Sequence, residues 1–244
     1  MRKEPFFVDD VVHVFNRGNR KQEIVRDDRD RQHFMRVLYY FNDEYAPINI
    51  FRELSDTYGA DAHLRLERPP TWPERKPLID ILGFTLMDNH YHLVLLETRE
   101  GGIAKFMQKF GTGITNRFNA RHKEVGRLFQ GSYKARRVDD DNYLTYLNVY
   151  IHVKNVCELY SGGIDAAIAD FDSAFSFALS YPYSSLGGYA GKNTETRKII
   201  SQDMLKSQFQ DVSEFKEFAR ECLRYVHFDE RMNRVDVDNT PADT

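Results

Sequence analysis

Two apolar runs separated by only two residues impose the strongest constraint on the fold of this chain. Residues 78–87 read LIDILGFTLM and residues 90–96 read HYHLVLL, with Asp88-Asn89 between them. Runs rich in β-branched and aromatic residues that are joined by a two-residue turn are typical of a β-hairpin. The sequence therefore predicts two adjacent antiparallel strands near the middle of the chain.

The patterns on either side of this hairpin alternate between strand and helix. Residues 11–16 (VVHVFN) predict a strand, and residues 27–41 predict a helix with apolar side chains three and four positions apart. Residues 103–122 predict a second helix, residues 126–138 a fourth strand, and residues 143–156 a third helix. This order predicts an α+β fold in which helices cover one side of an antiparallel sheet.

Composition divides the chain into three predicted parts. Residues 1–158 carry the strand and helix pattern, interrupted at 46–78 by a proline-rich stretch that predicts an irregular insertion. Residues 159–230 predict a small helical C-terminal extension, and residues 231–244 predict a disordered tail.

Targeting signals and cysteine pairs are missing from the sequence. No apolar run approaches the ~20 residues that a membrane span needs, and the first residues lack the pattern of a signal peptide. Cys157 and Cys222 have neither the spacing of a disulfide framework nor that of a thiolate metal site. A cytoplasmic protein without membrane contact is therefore predicted.

Positive charge is concentrated in one stretch, although the whole chain carries a net charge of −3. Residues 105–137 contain a single acid, Glu124, among many basic residues. Such a stretch suits the neutralisation of nucleic-acid phosphates, and a solvated helix face is the alternative interpretation. The basic residues are Lys105, Lys109, Arg117, Arg121, Lys123, Arg127, Lys134, Arg136 and Arg137.

Two histidines on the second hairpin strand are the first candidates for chemistry. His90 and His92 project from one face of the strand, because side chains alternate along a strand. Two imidazoles so placed can chelate one divalent metal, but such pairs are also common as surface or hydrogen-bonded residues. The pair alone leaves both interpretations open.

Tyr150, on the last predicted helix of this pattern, is the second candidate. Tyr146 lies one turn before it and Lys154 one turn after it, so the three share a face. A phenol with a pKa of about 10 becomes a nucleophile when a metal, a cation or a base assists its deprotonation. An ordinary packing role is the alternative interpretation.

The segment MDNHYHL at residues 87–93 resembles the M-P-N-H-x-H-L segment of the single-tyrosine HUH transposases, especially the REP-associated tyrosine transposase (IS200-like) branch. Other segments resemble that family in the same order along roughly residues 10–220. They are HVFNRG at 13–18, FMQK at 106–109, RFN at 117–119, GRLFQG at 126–131, YIH at 150–152 and YPYSS at 181–185.

The resemblance implies a ferredoxin-like sheet and an enzyme that cuts single-stranded DNA and transfers the strand in transposition. It implies Tyr150 as the nucleophile of a 5′-phosphotyrosine link, and His90 and His92 as ligands of Mg²⁺ or Mn²⁺. The implied partner is single-stranded DNA with a hairpin. Both a homodimer and a monomer are compatible with it.

The expected DNA contacts follow from the same resemblance together with the charge pattern. Phe118, Phe129 and Tyr133 are expected to stack on unpaired bases, and a place in the core is the alternative for each. The expected cationic contacts are Arg17, Lys105, Lys109, Arg117, Arg121, Arg127, Lys134, Arg136, Arg137 and Lys154.

The chain departs from the family pattern at two positions. Lys154 stands four residues after Tyr150, where the family carries a glutamine or asparagine as third metal ligand, and an ammonium cannot ligate a cation. Either Asn155 or His152 replaces that ligand, or the metal is held weakly by two histidines. Alternatively, Lys154 contacts phosphate in a catalytically impaired protein that only binds hairpin DNA or RNA. Ile114, where a tyrosine is expected, is interpreted as structural.

Overall fold

A four-stranded antiparallel sheet organises the protein, whose computed structural model describes residues 5–45, 47, 49–201 and 205–225. The strands are β1 (Val11–Arg17), β2 (Asp80–Leu86), β3 (His90–Leu96) and β4 (Lys134–Val138). Their order across the sheet is β2-β3-β1-β4, and every neighbouring pair is antiparallel. The predicted hairpin and the predicted α+β class are confirmed.

Two long helices pack on one face of this sheet. They are α1 (Asp28–Phe41), which follows β1, and α3 (Gly102–His122), which follows β3. Phe34 of α1 and Phe110 of α3 meet edge to face with their ring centroids 5.2 Å apart, and both contact the ring of Tyr91 from β3. These contacts bury the apolar stripes that the helical spacing predicts.

A third helix covers the opposite face, so helices lie on both sides of the sheet and not on one. This tyrosine helix (residues 141–157) consists of α4 (Asp141–Val149), a π-helical turn (Tyr150–Lys154) and α5 (Asn155–Cys157). The burial pattern of the strands explains why both faces of the sheet are covered. β1 and β3 are buried at five successive positions each, whereas a sheet with one wet face alternates buried and exposed residues.

The described residues after the tyrosine helix are mostly helical, as predicted for that part of the chain. The helices are α6 (Gly163–Ala169), α7 (Phe171–Ser180), α8 (Leu186–Tyr189), α9 (Thr194–Ile199) and α10 (Val212–Arg224). They share one hydrophobic cluster with the sheet and the earlier helices. The predicted disordered tail, 231–244, lies outside the described residues.

The segment before α8 attaches this C-terminal part to the free edge of the sheet. The backbone N–H of Leu86 donates to the carbonyl of Tyr183 at 2.9 Å, and the N–H of Ser185 donates to the carbonyl of Phe84 at 3.0 Å. These bonds cover the outer edge of β2, which would otherwise expose unpaired backbone groups.

Two predicted segments differ from the structure. The stretch 46–78 was predicted to be irregular, but it contains α2 (Ile50–Tyr58) and a 3₁₀ helix (Gly59–Leu64), because Ile50 and Leu54 bury one helical stripe before the later prolines begin. The fourth strand was predicted from residue 126, but it begins at Lys134. Gly126 has φ +92°, a conformation that does not extend a strand.

Gly18 at the end of β1 is expected to tolerate no side chain. A Cβ at this position would lie 1.9 Å from the carbonyl oxygen of Gln22, which is backbone and cannot rotate away. Gly18→Ala should therefore lower the free energy of unfolding by about 1–3 kcal/mol, the usual cost of overpacking.

Urea denaturation measures this change, and a second glycine supplies the control. Gly111 lies within α3, and a Cβ added there would have nothing within 4 Å. Gly111→Ala should be neutral or stabilise by up to about 1 kcal/mol, because alanine is the better helix former. Equal stability of the two variants would contradict the close approach at Gly18.

Among the described residues, no helix is both long enough and apolar enough to cross a membrane.

Candidate active site

The two histidines of β3 lie on the face of the sheet that the tyrosine helix covers. His92 is fully buried, whereas His90, at the start of the strand, is half-buried. Their ring centroids are 5.2 Å apart and the ring planes are nearly perpendicular, at 87°. The alternation of the strand thus brings both imidazoles to one place.

In both histidines, Nδ1 lies within hydrogen-bond distance of another side chain of the protein. His90 Nδ1 lies 2.7 Å from Oδ1 of Asn89, an acceptor, so this nitrogen carries the proton. His92 Nδ1 lies 2.9 Å from Nε2 of His13, a buried histidine on β1. When His92 donates in this bond, the lone pair of each active-site imidazole resides on Nε2. Metal-binding histidines are commonly oriented by such a hydrogen bond from the nitrogen that does not face the metal.

Burial keeps the inner histidines neutral. It lowers the pKa of His92 well below its ordinary value, and the nearby His13, His90 and Lys154 add to that effect. Burial, with a contribution from Arg136, lowers the pKa of His13 to about 3. His92 Nε2 has no hydrogen-bond partner within the described part of the chain. A neutral imidazole with a buried, unpartnered nitrogen has the chemistry of a metal ligand.

Tyr150 packs directly against this pair. Its ring meets the ring of His92 edge to face, with centroids 5.4 Å apart, and its side chain is almost completely buried. The ammonium of Lys154 lies 5.3 Å from the centroid of the Tyr150 ring and 2.8 Å from the carboxylate of Glu158. A phenol, an imidazole and an ammonium therefore meet in one small region.

The π-helical turn alters which residue lies one turn after Tyr150. The backbone N–H of Asn155 donates to the carbonyl of Tyr150, an i to i+5 bond in place of the usual i+4 bond. Asn155 therefore lies one turn beyond Tyr150 along the helix, where Lys154 would lie in a regular α-helix. Asn155 is buried, and its Nδ2 has no partner among the described residues.

His152 has a different environment from the one that a metal ligand needs. Its Nδ1 lies 3.1 Å from the carbonyl of Asn148, and its Nε2 lies 2.7 Å from Oγ of Ser185 in the C-terminal part. Both ring nitrogens are thus engaged by the protein. The contact links the tyrosine helix to the segment that covers the edge of β2.

The buried His152 is expected to make the protein sensitive to acid. Burial lowers the pKa of His152 from 6.5 to about 3. Between pH 3 and pH 6.5 the imidazole is therefore protonated in the unfolded chain and neutral in the folded chain. Stability from this group is complete above pH 6.5 and is lost as the pH falls; between pH 7 and pH 5 the loss is about 2 kcal/mol.

Urea denaturation at pH 7 and pH 5 measures this effect. His152→Gln removes the titrating group and keeps a hydrogen-bonding side chain, so the difference in stability between the two pH values should shrink by about 2 kcal/mol. An unchanged difference would show that His152 titrates alike in the folded and unfolded chains.

Four of the predicted DNA-binding cations lie on the same side of the sheet as Tyr150. Arg17 pairs in register with His90, and Lys134 and Arg136 pair with the β1 residues Phe15 and His13. Residues paired in register share a face. With Lys154, these side chains bring positive charge to the surroundings of the tyrosine.

The other predicted cations have varied surroundings. Arg121 binds the carboxylates of Asp27 and Asp30, and Arg137 binds Asp10 at 2.9 Å. Lys109 donates to the carbonyl of Asp43, and burial lowers its pKa to about 8. Such cations hold the fold together. The remaining three, Lys105, Arg117 and Arg127, are exposed.

The aromatic residues that were expected to stack on bases are divided between core and surface. Phe118 is buried beside His122, so the alternative interpretation as core applies to it. Phe129 is buried as well, against Tyr91, and with the half-buried Tyr133 it lines an open cleft of about 780 Å³ between α3 and the segment before β4. Ile114 is buried in the core, in keeping with a structural role.

His13 is the site residue that the sequence analysis missed. His13 lies two residues before Phe15 on β1, so the two side chains share a face of the strand. Phe15 pairs in register with His92, and this pairing of β1 with β3 brings His13 and His92 together. The motif HVFNRG contained the residue, and the alternation of β1 was the available signal.

The fold and this cluster define a class of α+β proteins that presents a histidine pair to a helical tyrosine. Residues 74–154 match the family model described as "Transposase IS200 like". That segment contains the histidine pair, Tyr150 and Lys154, so the resemblance to the IS200-like transposases is confirmed over it.

The chain is similar to "Structure of the REP associates tyrosine transposase bound to a REP hairpin", with 10% sequence identity and a TM-score of 0.43. The match covers 84% of this chain and 92% of that chain. None of the curated proteins matches the chain.

Proposed function

We propose that this protein cuts and rejoins single-stranded DNA next to a hairpin through a covalent link to Tyr150. The observation that supports this most is the packing of Tyr150 against His92, 5.4 Å between ring centroids, within a segment that matches a transposase family. Both residues belong to one chain. A homodimer is therefore not needed to bring them together.

A divalent metal, Mg²⁺ or Mn²⁺, is the proposed cofactor. His90 and His92 each offer a ring Nε2, because Nδ1 of both is engaged within the protein, and Asn155 offers an amide oxygen. Among the described residues, no group of three or more His, Cys, Asp or Glu is placed to hold a metal. The amide would therefore complete a set of three protein ligands. When bound, the metal would polarise the scissile phosphate.

The cations around Tyr150 suit the proposed substrate. The ammonium of Lys154, 5.3 Å from the centroid of the Tyr150 ring, places positive charge beside the tyrosine, where it would stabilise the negative charge that develops during the attack. Arg17 and Lys134 are proposed to bind the phosphates on either side of the bond that is cut. In this account Lys154 assists the nucleophile, although it replaces the family's usual ligand.

The proposed reaction exchanges one phosphate ester for another. The Tyr150 oxygen, after loss of its proton, attacks the phosphorus, and the bond from phosphorus to the 3′ oxygen breaks. The released 3′ oxygen takes up a proton, and the 5′ end remains attached to the tyrosine. The reverse attack by a 3′-hydroxyl of another strand rejoins the DNA. No nucleotide cofactor is consumed, because the tyrosine ester retains the energy of the phosphodiester.

A covalent-attachment assay tests this proposal. The protein is incubated with labelled single-stranded hairpin oligonucleotides from the DNA that flanks its own gene, with Mn²⁺ or with EDTA. The proposal predicts a labelled band of lower mobility on a denaturing gel, with Mn²⁺ only. Hairpin binding without such a band, across several flanking sequences and both metals, would favour the impaired protein that only binds hairpin DNA or RNA.

A further inference from the structure

Two adjoining cavities lie among the helices on the far side of the sheet from Tyr150. A cavity of about 260 Å³ is lined by side chains of α1 and α3, and a second of about 440 Å³ extends toward α2. Three residues line both cavities: His33 and Arg36 of α1, and Arg117 of α3. Arg29, one turn before His33, lines the smaller one.

The arginine cluster that lines these cavities consists of Arg29, Arg36 and Arg117, and none of the three forms an ion pair with a carboxylate within the described part of the chain. Other arginines of the same two helices do have one. Arg31 of α1 binds Asp88 at 2.6 Å, and Arg121 of α3 binds Asp27 and Asp30. The pairing of these neighbours shows that carboxylates are available on this side of the protein. The cluster is therefore a local concentration of uncompensated positive charge.

Arg36 is held in place without its charge being neutralised. Its guanidinium lies 4.5 Å from the ring centroid of Phe51, and its buried Nε has no hydrogen-bond partner among the described residues. Burial and the charge of Arg117 lower the pKa of Arg36, and burial, with smaller contributions from Arg117 and Arg36, lowers the pKa of His33 to about 4. Bringing such groups together costs free energy unless an anion binds between them.

We propose that Arg29, Arg36 and Arg117 form a phosphate-binding site, separate from the site at Tyr150. Guanidinium groups bind phosphate oxygens through paired hydrogen bonds, and the smaller cavity has room for a phosphate group with water. The larger cavity, which reaches Phe51 and Ser55, has room for an attached nucleoside. The phosphate comes either from a nucleic-acid backbone or from a free nucleotide.

Binding to the whole protein tests this site without reference to cleavage. The ring proton resonances of His33, assigned with His33→Gln, are followed by NMR during titration with inorganic phosphate, a nucleoside monophosphate or a single-stranded oligonucleotide. At least one probe should shift these resonances to saturation. Arg117→Gln should weaken that binding at least about tenfold, because one charge-assisted contact is lost. Arg117 is exposed, so this variant should fold normally.

The outcomes separate the two sources of phosphate and define failure. Saturation at lower concentration with the oligonucleotide assigns the site to a nucleic-acid backbone, and tighter binding of the monophosphate assigns it to a free nucleotide. Arg52→Gln, an exposed arginine of α2 outside both cavities, is the control and should bind like the wild type. No saturable shift with any probe, or equal weakening by Arg117→Gln and Arg52→Gln, would overturn the proposal.

Discussion

Replacing Tyr150 by phenylalanine is expected to abolish covalent attachment to DNA while hairpin binding persists. The change removes one oxygen atom and keeps the ring that packs against His92, so the fold should survive. No other group in the cluster can form the phosphate ester in place of that oxygen, and cleavage should fall by at least about a thousandfold. Single-turnover cleavage of a labelled hairpin and a separate binding titration measure the two effects.

Tyr146→Phe is the matched control for this experiment. Tyr146 lies one turn earlier on the same helix, and its ring contacts Phe218 of α10, with the ring centroids 5.6 Å apart. This variant should cleave at the wild-type rate. Equal cleavage by Tyr150→Phe and the wild type would remove Tyr150 from the mechanism and leave the cluster with a structural role.

Replacing His90 by alanine is expected to weaken Mn²⁺ binding and to slow the metal-dependent cleavage. His90 is half-buried at the start of β3, so its loss opens no large cavity in the core, unlike the loss of the fully buried His92. Loss of one of three proposed ligands should lower the cleavage rate by at least about 100-fold at fixed Mn²⁺, more than the loss of a residue that only orients a ligand. The rate as a function of Mn²⁺ concentration, with Mn²⁺ binding followed by electron paramagnetic resonance, measures the change.

His122→Ala provides a histidine control outside the site. His122 lies at the end of α3 and contacts Asp30, on the opposite side of the sheet from Tyr150. This variant should retain the wild-type dependence on Mn²⁺. A His90→Ala variant with unchanged Mn²⁺ affinity and rate would contradict the proposed metal site.

The parts of the fold set by local pattern could be predicted from the sequence. The two-residue turn at Asp88-Asn89 determined the hairpin, and helical spacing determined α1 and α3 within a residue or two of their observed ends. The second helical layer was not predicted, because the burial of both faces of β1 depends on which later segment packs there. The presence of this second layer therefore depends on tertiary packing and not on the local pattern of β1.

The composition of the site was only partly predictable for the same reason. The alternation of β3 was enough to place His90 and His92 together, but the contact of His92 with His13 depends on strand register. The π-helical turn at Tyr150 is a distortion of a helix whose sequence shows no break. In a regular helix the backbone N–H of Lys154 would donate to the carbonyl of Tyr150, whereas here the N–H of Asn155 does so.

Charge along the sequence could not distinguish a cation that stabilises the fold from one that is available to a ligand. Arg121 and Arg117 are four residues apart on α3 and were expected to act alike. Arg121 binds two carboxylates, whereas Arg117 faces two arginines across a cavity. Only the position of acids on other elements, which the local sequence does not contain, separates the two roles.

Identification of the attached residue tests the central claim most directly. Wild-type protein is incubated with Mn²⁺ and a hairpin oligonucleotide, digested with nuclease and protease, and its peptides are analysed by mass spectrometry. We expect a nucleotide attached through phosphate to Tyr150, and we expect it to be absent when EDTA replaces Mn²⁺. A nucleotide attached to a different residue, or no attached nucleotide in a sample that has cleaved the DNA, would contradict it.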